Sequence, residues 1–208
     1  MFRWLIFGFL MIAIVAVSAA TYVLMHRPLH NSPEWVEGYS GQVTFNDLRD
    51  RSKSYRGFVY SNVLAQPRAF RMDMNFSEHK LIRVWRQDVG STFMLDPDAK
   101  TVWTPRLKGS ARLVVGRGPY IENGVKRLVG QERINGRLAD HWEITHLGAA
   151  TEEHWEDVRL HVTLKSVQPG VSTYELTNVR EGHQRDELFT IPEGYRQIAP
   201  PETGTEIR

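Results

Sequence analysis

The chain has 208 residues, with 26 basic and 24 acidic side chains and no cysteine. Two of the basic residues, Arg3 and Arg27, flank an apolar N-terminal run, so the other 24 balance the 24 acids, which all follow Arg27. This balance argues against a nucleic-acid-binding protein, which needs a basic excess. The lack of cysteine excludes disulfides, a thiol nucleophile, cysteine-ligated zinc and a lipid-modified cysteine.

An uncharged run of 22 residues, Trp4 to Met25, lies near the N-terminus. As a helix it is about 33 Å long, enough to cross a hydrocarbon core of about 30 Å. We therefore predict a transmembrane anchor over residues 1–27. A cleaved secretory signal with small residues at Val17-Ser18-Ala19-Ala20 is the alternative, although the apolar run continues beyond the usual length of such a signal. In both interpretations the rest of the chain is exported. A short N-terminus before one helix favours a cytoplasmic N-terminus.

The segment after the anchor contains proline, glycine and serine, which are typical of a connector. We predict a connector over residues 28–54, with a short helix over residues 43–51. One β domain is predicted over residues 55–199, and residues 200–208 are predicted to be a frayed tail.

From Tyr55 onward, apolar and polar residues alternate, which is the pattern of half-buried strands. The clearest case is residues 70–76, where four apolar side chains alternate with three polar ones. Short strands separated by polar turns predict a meander of hairpins over residues 55–63, 70–76, 81–87, 91–95 and 100–105. Residues 107–126 are rich in glycine and are predicted to form a long loop.

The second half repeats this pattern. Asn135-Gly136 separates two alternating stretches, which predicts a two-residue hairpin turn of type I′. A further strand is predicted from Val158 to Leu164, ending at the Gln168-Pro169-Gly170 turn. The remaining strands are predicted over residues 127–134, 137–146, 172–179 and 188–191. About nine strands and little helix predict a strongly curved antiparallel sheet with one apolar face, whose ends curl towards closure.

Several short motifs resemble the LolA/LolB-like periplasmic proteins. Residues 176–182 (LTNVREG) followed by residues 186–195 (DELFTIPEGY) are similar to the C-terminal end of that family. Residues 129–137 (VGQERINGR) resemble its hairpin, and residues 83–88 followed by residues 92–103 resemble its basic strand, turn and aromatic residue. Together these motifs cover roughly residues 55–195.

The resemblance implies a half-open β-barrel with a hydrophobic cavity that shelters acyl chains. The predicted anchor leads us to expect a single-pass protein of the bacterial inner membrane, with the β domain in the periplasm. LolA itself is soluble and LolB is anchored through a lipidated cysteine, whereas this chain has an apolar N-terminal run and no cysteine. We therefore expect lipid or partner binding at a membrane rather than free shuttling of lipoproteins.

The sequence contains no nucleophile elbow, phosphate-binding loop, zinc-protease or dinucleotide-binding motif. The carboxylate pairs Glu152-Glu153 and Glu156-Asp157 are predicted on loops, and adjacent residues of a strand would point to opposite faces. Neither pair therefore forms an acid–base pair by its spacing alone. We predict a non-enzymatic protein without a cofactor.

Histidines are the candidates for metal binding. His141 and Glu143 lie two residues apart on one predicted strand face, as metal ligands can, and His154 and His161 follow in the next strand region. The sequence shows no tight cluster of three ligands, so no metal site is predicted.

Aromatic and methionine side chains in the predicted sheet are the candidates for lining a ligand site, because methionine adapts to irregular ligands. These candidates are Phe70, Met72, Met74, Phe76, Trp85, Phe93, Trp103 and Trp142. The alternative is that they form an ordinary filled core. Two functions remain open: a membrane-tethered module that binds a membrane lipid, an acyl chain or another hydrophobic ligand, and an accessory or scaffold subunit with membrane-protein partners.

Overall fold

Twelve strands form one sheet in the computed structural model of the protein, which describes residues 36–62, 68–105, 124–146 and 151–201. In chain order the strands are β1 (Tyr39–Asp47), β2 (Tyr55–Asn62), β3 (Ala69–Asn75), β4 (Lys80–Arg86), β5 (Ser91–Asp96), β6 (Thr101–Trp103), β7 (Gly124–Ile134), β8 (Arg137–His146), β9 (Glu152–Asp157), β10 (Thr163–Gln168), β11 (Ser172–Glu181) and β12 (Arg196–Gln197). Two short 3₁₀ turns, Arg51–Lys53 and Asp186–Phe189, are the helical elements of the described residues.

The strand order divides the sheet into two meanders. The first meander runs from β1 to β6 and the second from β7 to β11, and within each one every strand pairs antiparallel with the next strand in sequence. The antiparallel pair β1–β11 joins the two meanders, and we call it the seam. β12 pairs in parallel with β6. The predicted mainly β architecture, antiparallel for the most part and with almost no helix, is confirmed.

Local turn chemistry explains several of the hairpins. Asn135 and Gly136 both have positive φ angles, 51° and 82°, which a type I′ turn requires at its two central positions. In the turn after β5, the Asp96 carboxylate accepts hydrogen bonds from the backbone N–H groups of Asp98 and Ala99, both at 2.9 Å. Both turns lie where the sequence predicts them.

Residues at paired positions of neighbouring strands lie on the same face of a sheet. We call one side the cleft face. It carries a row of directly paired residues that crosses the seam: Tyr55, Phe45, Tyr174, Ser166, His154, Trp142 and Leu128. The other side is called the opposite face.

The C-terminal segment covers the opposite face of the first meander. Phe189 is buried in a cluster with Val84 and Leu95, and Tyr195 packs against the same cluster on the far side of the turn at residues 192–194. The Arg71 guanidinium donates to the backbone carbonyl of Leu188 at 3.0 Å, which ties the 3₁₀ turn to β3. Burial of each large apolar side chain here contributes about 1.5–3 kcal/mol.

Two further apolar clusters include residues of the cleft face. The larger cluster includes Val43, Val59, Leu164 and Leu176 together with Trp155, which the register places on the opposite face, so it joins strands of both meanders without being confined to one face. The smaller cluster consists of Met74, Met94 and Trp103 in the first meander, with Ile198 of the C-terminal segment packed against it.

Ion pairs are concentrated in the second meander. The Arg137 guanidinium donates to Asp157, which is 2% exposed, and also to Glu181. Burial alone would lower the pKa of Arg137, but its two carboxylate partners outweigh that effect and raise it. Lys126 pairs with Glu156 at 3.1 Å. The strands of this half are therefore cross-linked by charged side chains as well as by their backbones.

Three predicted elements are wrong. The helix predicted over residues 43–51 is replaced by β1, where the larger side chains and Gly41 alternate with polar residues on a strand of the sheet. The strand predicted from Val158 to Leu164 is interrupted by a turn, because the Asp157 carboxylate accepts the backbone N–H groups of Arg159 and Leu160. The strand predicted over residues 188–191 overlaps the 3₁₀ turn Asp186–Phe189 instead.

Other predictions are shifted rather than replaced. The sheet has twelve strands instead of about nine, because β1, β9 and β12 were not recognised. The acidic pairs predicted on loops lie on β9, where Glu152 and Glu156 share one face and Glu153 and Asp157 share the other. β7 begins at Gly124, inside the predicted loop over residues 107–126.

The predicted anchor over residues 1–27 lies outside the described residues. Within the part of the chain that the structure describes, no helix is long and apolar enough to cross a membrane.

Candidate ligand-binding cleft

A cleft of about 390 Å³ lies on the cleft face where the two meanders meet. β1 and β2 contribute one wall, and β9, β10 and β11 contribute the other. The residues that line it are Tyr39, Phe45, Tyr55, Glu152, His154, Val162, Thr163, Ser166, Ser172 and Tyr174. Because the seam brings β1 next to β11, the cleft is assembled from segments that lie far apart in the sequence.

The wall from the first meander is aromatic. The rings of Phe45 and Tyr55 stack with their centroids 5.3 Å apart, and the Phe76 ring centroid lies 5.4 Å from that of Tyr55. The Tyr55 hydroxyl donates to the Met72 sulfur at 3.5 Å. These contacts hold Tyr55 in one orientation and present an aromatic surface to the cleft.

The three tyrosines of the cleft are uncharged near neutral pH. Burial raises the pKa of Tyr55 to about 12, against the opposing effect of the nearby Arg83 guanidinium. Burial also raises the pKa of Tyr174 well above its usual value, and its neighbours Tyr39 and Tyr55 raise it further. Burial raises the pKa of Tyr39 as well. The tyrosine wall is therefore suited to a ligand surface that is apolar or weakly polar rather than ionic.

The wall from the second meander adds polar groups beside Tyr174 and Val162. Glu152 and His154 lie two positions apart on β9, and the Glu152 carboxylate lies 2.6 Å from His154 Nε2. His154 is only 5% exposed, and its Nδ1 has no hydrogen-bond partner among the described residues. The hydroxyl-bearing side chains Ser166 and Ser172 line the same side. This wall can exchange hydrogen bonds with a ligand.

Arg83 is a second unusual polar group of the cleft face. In the register of β3, β4 and β5 it lies between Met72 and Met94. Its Nε is buried and lacks a hydrogen-bond partner within the described parts of the chain. Burial lowers its pKa, and Tyr55 acts in the opposite direction. Arg83 therefore places a poorly solvated positive charge beside the methionine cluster.

The structure separates the predicted lining residues from the cleft. Seven of the eight lie on the cleft face: Phe70, Met72, Met74, Phe76, Trp85, Trp103 and Trp142. Phe93 lies on the opposite face, where it packs against the cluster around Phe189. None of the eight is among the residues that line the cleft. Met72 and Phe76 support the cleft wall through Tyr55, and Met74 lies in the adjacent cluster.

The cleft residues themselves were not predicted. Tyr39 and Phe45 lie on β1, within the segment that is predicted to be a connector, although its larger side chains alternate with polar residues. Glu152 and His154 lie on β9, whose sequence EEHWED has low strand propensity. Their meeting across the seam depends on long-range strand pairing, for which the sequence carries no local signal.

His141, considered above as a metal ligand, lies on the opposite face from His154, because it pairs with Trp155 whereas His154 pairs with Trp142. Its ring stacks on Trp155 at 4.4 Å. Glu132 contacts its Nδ1 at 3.3 Å and Glu153 contacts its Nε2 at 3.1 Å. The carboxylates meet opposite ring nitrogens, so the three groups do not converge on one point. Over the described ranges, no group of three or more metal-binding side chains is found.

Comparisons with known proteins find similar solved structures but no matching sequence family. No protein-family model matches the sequence, and no curated protein matches it. An uncharacterized conserved protein from Thermus thermophilus is similar, with a TM-score of 0.56 and 14% identity over 79% of this chain and 91% of that chain. MucB from Pseudomonas aeruginosa, solved in complex with MucA, has a TM-score of 0.52 and 16% identity over 73% of this chain.

This chain covers 54% of the length of the MucB chain. A domain described as an outer membrane lipoprotein-sorting protein, from Vibrio parahaemolyticus, matches with a TM-score of 0.36 and 10% identity over 74% of this chain and 90% of that chain. The Thermus protein and MucB, both with TM-scores above 0.5, share the fold of this chain. At these identities the likeness shows the fold alone.

Proposed function

We propose that the protein is a non-enzymatic, membrane-tethered module of the bacterial periplasm that binds a lipid or another hydrophobic ligand. In this proposal the sheet is strongly curved, as a half-open barrel, and the cleft at the seam receives part of the ligand. The observation that carries the proposal is the cleft of about 390 Å³ with its uncharged aromatic wall. Ligand sites are concave and largely apolar, with a few polar groups that set orientation.

The cleft can be tested by filling it. Ser166 lies in the row that crosses the seam, so Ser166→Phe would place a ring in the cleft. We expect the full chain, extracted in mild detergent, to lose most of the lipid that mass spectrometry finds bound to the unchanged protein. Thr177→Phe on β11 is the matched control, because Thr177 pairs with Gln42 on the opposite face. Equal lipid retention by both variants would contradict binding in the cleft.

The anchor has its own test. If residues 4–25 span the bilayer, alkaline carbonate should leave the protein in the membrane pellet, and its mass should include Met1 and Phe2. A soluble mature form that starts near Ala20 or Thr21 would instead make the protein a free periplasmic carrier.

A second function, that of an accessory or scaffold subunit, is favoured by β7. This strand of 11 residues ends the strand order, and it exposes Val125 at 72%, Leu128 at 50% and Val129 at 46%. Exposed apolar side chains on an edge strand are typical of surfaces that pair with another chain. The MucB neighbour was solved with a protein partner, MucA. Stoichiometric proteins that co-purify with the full chain, in place of lipid, would favour this function.

A further inference from the structure

Arg83 is a charged side chain without a counter-charge. Its Nε is buried, and within the described ranges Arg83 forms no hydrogen bond and no ion pair. The terminal atoms Nη1 and Nη2 are not buried in this way, so the end of the guanidinium keeps accessible surface. A guanidinium stays protonated in proteins. Arg83 therefore holds a permanent positive charge that is shielded from water on its inner side and open to a ligand at its tip.

The side chains around Arg83 are apolar. Met72 on β3 and Met94 on β5 are directly paired with it. Leu81 and Trp85 lie two positions away along β4, on the same face of the strand. A charge among apolar groups is unfavourable unless an opposite charge pairs with it. An anion bound from outside would supply the missing pair.

Arg83 lies outside the cleft but only one side chain from its aromatic wall. The Tyr55 hydroxyl of that wall donates to the Met72 sulfur at 3.5 Å, and Met72 is the cross-strand neighbour of Arg83. Burial is the main cause of the shifted pKa of Tyr55 and of Arg83, but each group also acts on the pKa of the other, so they lie close together. Their strands, β2 and β4, are about 10 Å apart. A lipid can bridge that distance, whereas a small anion cannot.

We propose that Arg83 binds the anionic head group of an amphiphile, a carboxylate or a phosphate, whose apolar chain lies against the aromatic wall of the cleft. The N–H donors of a guanidinium match two oxygens of such a head group. The methionines on either side are flexible and can adapt to the bound group. This inference rests on the proposed function and adds the charge and the chemical class of the head group.

Probes that share one alkyl chain separate the head group from the chain. Oleate and oleyl phosphate have anionic heads, oleyl alcohol has an uncharged head, and inorganic phosphate has no chain. Binding of each probe to the full chain in a non-ionic detergent is measured by native mass spectrometry. We expect the anionic amphiphiles to bind about tenfold more tightly than oleyl alcohol, as charge-assisted hydrogen bonds allow. A preference for only one of the two acids would support the inference and identify the head group.

Three results would contradict the inference in different ways. Equal binding of all three amphiphiles would overturn it but leave the proposed function standing. If none of the amphiphiles binds, the proposed function fails as well. Inorganic phosphate that binds as tightly as oleyl phosphate would show a simple anion site and overturn recognition of a lipid.

Arg83→Gln removes the charge while keeping a polar side chain. We expect this variant to lose the preference for anionic amphiphiles and to bind oleyl alcohol as the unchanged protein does. Arg56→Gln is the matched control, because it removes the same charge at an exposed position that pairs with Thr44 on the opposite face. The control should keep the preference. A preference that survives Arg83→Gln, or that falls equally in both variants, would show that Arg83 does not bind the head group.

Arg83→Met separates a binding role from a structural one. If the charge serves a ligand, an apolar side chain between Met72 and Met94 should leave the urea midpoint of the ligand-free protein unchanged or raise it. The preference for anionic amphiphiles should disappear in the same variant. A clearly lower midpoint would show that the guanidinium stabilises the fold, and a retained preference would show that it does not bind the ligand; either result would overturn the inference.

Discussion

The strands of the first meander and those of the second meander are stabilised by different physical interactions. In the first meander, apolar side chains are buried on both faces: Met94 and Trp103 on one, Val84 and Leu95 on the other. In the second meander, the strands β7 to β9 are joined by ion pairs such as Lys126–Glu156, and their apolar side chains include several that are exposed. The cleft lies where the first meander and the second meander meet.

The difference explains the composition of the cleft. The first meander supplies Tyr55 and Phe45, which an apolar core holds in fixed orientations. The second meander supplies Glu152 and His154, whose positions depend on polar contacts. A ligand bound at the seam therefore meets an aromatic wall on one side and hydrogen-bonding groups on the other.

Replacing Gly57 should have the largest effect on stability. A Cβ there would lie 1.7 Å from the Asp73 carbonyl oxygen, which belongs to the backbone of the neighbouring strand and cannot move away independently. We expect Gly57→Ala to lower the free energy of unfolding by about 3 kcal/mol or more. Gly130→Ala on β7 is the control, because a Cβ there has no neighbour within 4 Å. Urea unfolding of the full chain in detergent measures both, and equal shifts would contradict tighter packing in the first meander.

The second-largest effect should come from shortening an apolar side chain, and it should differ between the two meanders. Met94 is 2% exposed, so Met94→Ala should lower the free energy of unfolding by about 2–5 kcal/mol. Leu128 on β7 is 50% exposed, and Leu128→Ala should change it by less than about 0.5 kcal/mol. A large loss for Leu128→Ala would show that the edge of the second meander is covered after all. Urea unfolding of the full chain in detergent distinguishes between these results.

Alkaline pH should weaken the packing around Tyr55. Burial raises the pKa of Tyr55 to about 12, so the stability that this tyrosine contributes is complete below pH 10 and is lost as the pH rises to about 12. A two-unit difference corresponds to about 2–3 kcal/mol. Thermal unfolding measured from pH 9 to pH 12 should show this decline, and it should be smaller in Tyr55→Phe. Tyr60→Phe on the opposite face is the control and should leave most of the decline; equal declines in all three proteins would contradict the assignment to Tyr55.

The smallest expected effect concerns one carboxylate in each meander. Asp157 and Asp96 both accept two backbone N–H groups in a turn, but Asp157 also pairs with Arg137. Asp157→Asn should lower the free energy of unfolding by about 1–2 kcal/mol, and Asp96→Asn by less than about 0.5 kcal/mol. The difference between the two midpoints in urea is the quantity to measure. Equal midpoints would mean that the Arg137 pair adds nothing to the second meander.

The sequence predicts the strands β2 to β6 better than it predicts β9, for a physical reason. Strands such as β3 bury one apolar face, so their alternation is visible in the residue order. β9 reads EEHWED because ion pairs and hydrogen bonds replace apolar contacts along it, and an apolar pattern is then missing. The turn after β9 depends on the Asp157 carboxylate, which accepts two backbone N–H groups, and no alternation of apolar residues marks it in the sequence.

The candidate site was less predictable than the fold. The predicted lining residues follow the strongest apolar pattern, and the structure places them on the cleft face except for Phe93. The cleft instead uses Tyr39 and His154, whose proximity follows from the pairing of β1 with β11 and of β10 with β9. That pairing joins the first and last strands of two meanders, and no local pattern specifies it.

The seam also has a consequence for how the molecule forms. Asn46 donates to Thr173 across the seam at 3.1 Å, although 127 positions separate them in the chain. Hairpins within each meander need only local contacts and form early, whereas contacts of high sequence separation close late because their loop entropy must be overcome first. A chain released before Ser172 would contain most of the cleft residues and several intact hairpins but no cleft. Ligand binding would therefore report on completed synthesis and folding of the whole domain.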